Sequence, residues 1–522
     1  MHWSRHVAVC TAVSVVCCIG SAHAQLPWAE LHAGPYAVGY RVVFALDPTR
    51  TWRRTRPYGK PFSPDTQGRP VRVSVWYPAA PGPSRAMTVA DYVRPASPKR
   101  FEEANTFLVR RDTRVVAEMV PADAFSALLG TSMRAGLGRR PARGRFPLVL
   151  YSGGVNSYTL SNAIMAELLA SHGYIVAAVP SLGPSDQQPE QPYTADEIEA
   201  AVRDLQFAWS LLRHESMVEP ARLAVFGHSL GGSVAMLFAL RNADVSAVVG
   251  LDGTYGFAGP GDTGTITEHF GYGPEHMRAS ILDIHRGGAT LDLSTVDRLR
   301  YAERTFITMP NVLHGDFTTF VVMARAFHLP MPPNVSSGVT RETGFLGYRR
   351  TCELLLAFLD GQLKNDRDSQ RRIQAVVDNT PGLTFRRSDP IPAPPSAGEL
   401  LVLLRSRSVD TVMRLVDQLK RAEPDETIVN ARDANALGYS LIGEHRYADA
   451  IGILEVTAHA YPGSANAEDS LGDAYLAAGQ TKQARAAYAE ALRLIPDDQE
   501  LNAEQKGSLM RVESDHLATL TP

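Results

Sequence analysis

Cysteine is nearly absent from this chain. Of four in 522 residues, three (Cys10, Cys17 and Cys18) stand near the start. Beyond them Cys352 is alone, which excludes an intrachain disulfide in the rest of the chain and any cysteine-based zinc cluster. Its setting, Thr351-Cys352-Glu353-Leu354-Leu355 in a helical pattern, reads as a buried apolar thiol. A surplus of charge is lacking too: 52 Lys and Arg against 55 Asp and Glu leave a formal net charge of −3. With no basic stripe along the chain, nucleic acid and anionic membrane surfaces are excluded as partners. Long apolar runs are also missing, the run from Val7 to Ile19 being too short to span a bilayer.

What is present is an ordinary globular composition, 44% apolar and 20% charged, in a chain too long for one core. Residues 1–24 read as a signal peptide: Arg5 precedes the Val7 to Ile19 run, and Ala22-His23-Ala24 supplies the small-x-small pattern for cleavage before Gln25. The expected location is therefore exported, periplasmic or extracellular. A lipoprotein signal at Cys17 fits less well because Val16 stands where a small residue is required.

The most informative stretch is Gly227-His228-Ser229-Leu230-Gly231, of the form G-x-S-x-G, between an apolar run (Leu223 to Phe226) and a helix-like run (Ser233 to Leu240). A serine hydroxyl is a weak nucleophile in water. A strand–turn–helix elbow lifts it into the open beside a base and aims the positive end of a helix dipole at the reacting oxygen. The two glycines are expected to permit the tight turn. This pattern predicts an α/β-hydrolase fold, a mostly parallel sheet with helices on both faces.

The surrounding segments agree. Tyr36 to Phe44 and Val71 to Tyr77 suit antiparallel opening strands, and residues 80–145 read as an insertion, part of a cap over the site, helical around Phe107 to Leu129. The parallel strands expected next are Leu148 to Ser152, Tyr174 to Pro180, Leu223 to Phe226, Val245 to Leu251, Ala279 to Ile284 and Arg304 to Met309. Helices fall at Leu160 to Ser171, at Ala195 to His214 with Ile198, Val202, Leu205, Trp209 and Leu212 on one face, and at Arg349 to Leu363. Gly253 to Glu275 reads as a surface loop. The catalytic domain is placed at residues 25–385 and a Pro-rich linker at 386–396.

Residues 397–522 change texture. Leu437-Gly438 returns as Leu471-Gly472, Ala450 as Ala484, Leu454 as Tyr488 and Pro462 as Pro496, each 34 residues on. This period resembles tetratricopeptide repeats, which implies an all-α repeat domain with a concave surface for a protein partner or a second copy of the chain. A degenerate unit before residue 431 and a capping helix from about Gln499 complete the expected stack.

A serine elbow needs a base and an acid, and in this fold they follow in the order Ser, acid, His. The base expected is His314, in Leu313-His314-Gly315-Asp316-Phe317, just after the last predicted strand. Two aspartates compete for the acid: Asp252 ends the strand after the nucleophile's, and Asp283 lies within the following one. Asp252 meets the geometric demand more simply, since Asp283 would point along a buried strand.

The order of Val71-Arg72-Val73-Ser74-Val75-Trp76-Tyr77-Pro78, Phe146 to Gly154, the elbow, Leu251-Asp252-Gly253 and His314-Gly315-Asp316-Phe317 resembles plasma-type platelet-activating-factor acetylhydrolases and their dienelactone-hydrolase-like relatives. The resemblance covers about residues 34–363. It implies a triad of Ser229, Asp252 and His314, with the N–H groups of Leu230 and Val155 as oxyanion donors. Where that family has Ser-His-Gly this chain has Ser152-Gly153-Gly154, and Ser229 stands where dienelactone hydrolases use cysteine. The function expected is a secreted serine carboxylic-ester hydrolase for a small-molecule or lipid ester, needing no metal or organic cofactor. A serine peptidase or amidase uses the same triad, and a repeat-based binding protein on a weak hydrolase scaffold is the rival of a different class.

Overall fold

Eleven strands among the described residues form one sheet, in the order β11 (Thr384–Ser388), β10 (Arg304–Met309), β9 (Ser280–Arg286), β8 (Val245–Leu251), β7 (Val218–His228), β5 (Phe146–Ser152), β6 (Ile175–Val179), β2 (Arg69–Ala79), β1 (Ala37–Asp47), β4 (Ser132–Leu137), β3 (Ala86–Thr88). The structure is a computed structural model and describes residues 28, 30–52, 68–183, 185, 189–190, 194–255, 273, 277–288, 292–424 and 426–520. The expected signal peptide, residues 1–24, and most of the expected surface loop after Gly253 lie outside the described residues. The chain divides into two compact units: Met1–Tyr272 with Ala279–Asp297 and Arg304–Ser388, and Asp389–Pro522 with Gly273–Arg278 and Arg298–Glu303.

In the first unit β1 (Ala37–Asp47) and β2 (Arg69–Ala79) pair antiparallel, and β2 lies antiparallel to β6 (Ile175–Val179). From β6 the sheet runs parallel through β5 (Phe146–Ser152), β7 (Val218–His228), β8 (Val245–Leu251), β9 (Ser280–Arg286) and β10 (Arg304–Met309). The chain passes from β5 outward to β6 and then returns past β5 to β7. The carboxyl ends of β5 and β7 therefore flank a topological switch point, where open α/β sheets place their sites.

Two extensions went unread in the sequence. β3 (Ala86–Thr88) and β4 (Ser132–Leu137) lengthen one edge, and β11 (Thr384–Ser388) pairs antiparallel with β10 at the other, taking in Arg386 to Ser388 of the expected linker. The charged, half-exposed β11 carries no apolar alternation, and only the open edge of β10 gives it a partner.

The helices of this unit are α1 (Val89–Val93), α2 (Glu102–Met119), α3 (Ala122–Gly130), α4 (Ala163–Ser171), α5 (Ala195–Leu212), α6 (Leu230–Leu240), α7 (Ser294–Asp297), α8 (Phe320–Ala326), α9 (Arg341–Lys364) and α10 (Ser369–Asp378). Alternation along the strands builds two cores. Val149 and Tyr151 of β5, with Ala224 and Phe226 of β7, join the cluster that holds the apolar residues of α4 and α9. The intervening residues face α5 and α6, whose predicted stripe Ile198, Val202, Leu205, Trp209 and Leu212 is buried throughout. Cys352 is buried on α9, and burial pushes its thiol pKa well above the usual range, which leaves it inert.

The segment expected as a cap splits at Pro121 into α2 and α3. Arg111 on α2 donates to the carbonyls of Ser157 and Ser181, in the loops after β5 and β6, and pairs with Asp112 at 3.0 Å. Asp112 also pairs with Arg72 of β2 at 3.0 Å. This buried ionic group fixes α2 against the carboxyl edge of the sheet, since removing one partner would strand the others without water.

The second unit is helical: α11 (Ala397–Ser406), α12 (Val409–Ala422), α13 (Ala431–Gly443), α14 (Tyr447–Ala460), α15 (Ala465–Ala477), α16 (Thr481–Leu494) and α17 (Ala503–Thr519). The bounds of α15 and α16 are those of α13 and α14 advanced by 34 residues. The crossings repeat as well. A Cβ on Gly438 would lie 2.8 Å from Leu454, and one on Gly472 would lie 2.4 Å from Tyr488. Close helix approach explains why both positions are glycine.

Candidate active site

Ser229 leaves β7 and opens α6 with φ 56 and ψ −125, a conformation that only a strained turn imposes on a residue with a side chain. Neither Gly227 nor Gly231 has positive φ; the serine itself carries the strain. The glycines serve close approach instead. A Cβ on Gly227 would meet the Gly231 carbonyl oxygen at 1.9 Å, and one on Gly231 would meet that of Ser152 at 2.0 Å. The sequence thus located the elbow, while the reason for its glycines is the close approach of α6 to the ends of β7 and β5.

The ladder continues beyond the strands and fixes both residues. Ser229 N–H donates to Leu251 O at 3.0 Å, and Asp252 N–H donates to Ile284 O at 2.7 Å. The Ser229 hydroxyl caps no N–H of α6, so the helix N-terminus keeps its donors for another oxygen.

Asp252, also at positive φ (47), has a side chain with no solvent exposure. His314 begins a short 3₁₀ turn, His314–Phe317, after β10, and its Nδ1 lies 2.5 Å from Asp252 Oδ2. The same oxygen accepts from Arg286 Nη1 at 2.6 Å, and Oδ1 accepts from Arg286 N–H at 3.2 Å. Burial, the largest effect, works to raise the Asp252 pKa, but the His314 bond and the Arg286 contacts outweigh it and hold the carboxyl below its usual range. The His314 side chain is 42% exposed, open to a substrate.

The turn that carries His314 is anchored twice. Leu313 N–H donates to Asp316 Oδ2 at 2.7 Å, and His228 Nε2–H donates to the His314 carbonyl at 3.0 Å. Burial and the neighbouring His314 lower the His228 pKa to about 4, so His228 is a neutral donor and not a base. Its ring lies 4.6 Å from that of His314, centroid to centroid, which ties His314 to the residue directly preceding Ser229.

Leu230 is the first residue of α6. Gly154, immediately before Val155, lies against Ser229: a Cβ there would be 3.1 Å from Ser229 Cβ and 3.5 Å from its Oγ. At the preceding position a Cβ on Gly153 would sit 2.2 Å from Ser157 Cβ. The Ser157 side chain occupies the space that a histidine at 153 would need.

Arg286 was missed in the sequence. A strand-terminal arginine gives no signal on its own, because only the pairing of β8 with β9 shows which carboxylate it meets. Asp283, the acid set aside in the sequence, accepts from Tyr255 hydroxyl at 2.9 Å and contacts His285 Nδ1 at 2.6 Å, inside the sheet.

The order of the strands, with the strained serine between β7 and α6, is that of an α/β-hydrolase-type fold. Residues 137–270, from β4 past Asp252, match the family model described as Chlorophyllase. The chain is 32% identical over 104 residues to Cutinase 1 of Thermobifida cellulosilytica, covering 20% of this chain and 38% of that protein. It has the same identity over 104 residues with a cutinase of Thermobifida fusca (strain YX), covering 20% and 33%. The match thus spans well under half the length of these relatives. A solved structure, a ferulic acid esterase from Streptomyces cinnamoneus, aligns with a TM-score of 0.48 and 20% identity over 70% of this chain and 99% of its own.

Proposed function

We propose that the protein is a serine carboxylic-ester hydrolase working through an acyl-enzyme on Ser229. The observation that carries this reading is the 2.5 Å contact between His314 Nδ1 and the buried Asp252 carboxylate, at the sheet edge where the strained serine opens α6. With Nδ1–H committed to Asp252, His314 presents Nε2 as the acceptor.

Ser229 Oγ attacks the ester carbonyl carbon as its proton passes to His314 Nε2. The N–H groups of Leu230 and Val155 hold the oxyanion, and Asp252 stabilises the imidazolium. Collapse of the tetrahedral species breaks the bond to the alkoxide, which takes the proton from His314 and leaves. Water then attacks the acyl carbon, gives its proton to His314, and the second collapse returns that proton to Ser229 and frees the acid. The triad needs no cofactor for these steps. The two cutinases, matched in sequence, favour an ester over an amide.

Two tests decide the mechanism. A fluorophosphonate probe is expected to label Ser229, and Ser229→Ala is expected to lower esterase turnover by about 10⁴-fold or more. Near wild-type activity in that variant would end the proposal.

The resemblance to platelet-activating-factor acetylhydrolases of the plasma type narrows the proposed substrates to short acyl groups on a lipid-like alcohol. Comparing kcat/KM for acetyl, butyryl and long-chain esters tests this, and a preference for long chains or peptide amides contradicts it. Export is part of the proposal; mass spectrometry of the mature protein is expected to find Gln25 at its start. No described helix is long and apolar enough to cross a membrane. For α13 to α16 the proposed identity is two tetratricopeptide units that dock a partner or a second copy, supported by the 34-residue recurrence of both bounds and glycine crossings. Loss of residues after 395 with no change in assembly or binding would count against it.

A further inference from the structure

The last helices of the second unit bring four ionisable side chains to one place. Asp469 and Asp473 lie one turn apart on α15, and Glu513 and His516 are three residues apart on α17, so each pair projects from one face of its helix. Ligand atoms of Asp469, Asp473 and His516 all lie within 4.8 Å of one another.

Glu513 is the second observation. It is fully buried, neither of its carboxylate oxygens has a donor unless a proton is shared with Asp469, and the groups it faces are the carboxylates of Asp469 and Asp473. His516 Nδ1 is buried and unpartnered too, while its ring packs on Tyr488 with centroids 4.4 Å apart. Asp473 is held from behind: one oxygen accepts from the Tyr488 hydroxyl and the other from the Tyr439 hydroxyl, each at 2.8 Å.

Buried acceptors normally find donors, and like charges are not normally gathered around one that has none. A proton or a cation can meet this demand. A proton satisfies one carboxylate pair; burial and the Asp469 contact push the Glu513 pKa up to about 9, in keeping with its crowded setting. A dication satisfies all four groups at once. Bonds of about 2.1 Å place tetrahedral ligands roughly 3.4 Å apart, so the ligand atoms of Asp469, Asp473 and His516, now within 4.8 Å of one another, close in and the Glu513 carboxylate moves to join them.

We propose that Asp469, Asp473, Glu513 and His516 bind one divalent first-row transition-metal ion, Zn²⁺ or Mn²⁺, as a structural staple between α15 and α17. The imidazole nitrogen favours such an ion over Ca²⁺, which takes oxygen ligands. The Tyr439 and Tyr488 hydroxyls act as orienting partners for Asp473. The four residues belong to the second unit and the test reads metal binding and melting, so its success or failure is independent of the ester-hydrolase reading.

The test uses the full chain, stripped with EDTA and titrated with ZnCl₂ or MnCl₂ by calorimetry and by thermal melting followed at 222 nm. One tight equivalent per chain is expected for at least one of the two ions, with a rise in helical melting of roughly 5–10 °C at saturation. CaCl₂ is expected to leave the melting unchanged. Glu513→Gln keeps the shape of a protonated glutamate and is expected to fold, yet to bind at least 100-fold more weakly; Asp469→Asn provides a second variant. Wild type that gains no stability from either ion, or Glu513→Gln that binds as tightly as wild type, overturns the proposal and leaves a shared proton as the occupant.

Discussion

Two aspartate–histidine pairs form at one sheet, one just past the ends of β8 and β10 and one within β9, and only the first leaves its histidine open to solvent. Asp252 and His314 meet at 2.5 Å, Asp283 and His285 at 2.6 Å, and both carboxylates are fully buried. The partners differ. His285 Nε2 lies 3.0 Å from the Thr308 hydroxyl and its side chain is 13% exposed, so both ring nitrogens are engaged within the sheet. His314 stands on a turn beyond the strands, 42% exposed. Asp283 is paired across the ladder with Gly250, and a Cβ at that position would come within 1.5 Å of the Tyr255 hydroxyl that bonds Asp283. An Asp–His bond is therefore not a sign of function in itself; position past the strand end and an exposed ring set His314 apart from His285.

The comparison breaks most sharply at the histidines. His314→Ala is expected to lower kcat by about 10⁵-fold, while His285→Ala leaves it within about tenfold, as steady-state ester hydrolysis would show. Equal losses would merge the two pairs. At the acids, Asp252→Asn is expected to cost about 10⁴-fold in kcat by favouring the wrong His314 tautomer. Asp283→Asn instead is expected to lower stability by about 1–2 kcal/mol in urea unfolding, with turnover of the folded enzyme preserved.

Arg286 sharpens the contrast further. Asp252 has a depressed pKa in the folded state, so its contribution to stability is present above its unfolded value, near 3.8, and is lost as pH falls through the folded one. Arg286→Gln removes one cause of the depression and is expected to move the acid limb of stability to higher pH, with a loss of about tenfold or less in kcat. Urea midpoints measured from pH 3 to pH 7 read the shift; an unmoved limb would detach Arg286 from Asp252. The smallest effect is expected at Tyr255→Phe, about 1 kcal/mol of stability with no change in pH profile.

Much of this was legible in the chain. Val245–Leu251 and Arg304–Met309 are strands with the bounds read from their β-branched runs, and the α5 stripe is buried at each predicted position. These elements have both faces covered, so their apolar pattern records the packing directly. The carboxylate chosen by its place at a strand end is the one found against His314. What could not be read were β3, β4 and β11, whose sequences carry weak strand signals and which form because an edge is open to them. Arg286 and the Glu513 cluster also escaped, since each depends on residues that are distant in sequence.

The sequence by itself determined the periodic elements, the serine elbow and the 34-residue return, because burial and close approach restrict residue type locally. Tertiary structure alone decided which arginine holds Asp252, how Asp283 is engaged inside the sheet, and which buried carboxylates crowd together. Those outcomes depend on strand order and register, and a shift of one residue in the ladder sends a side chain to the other face.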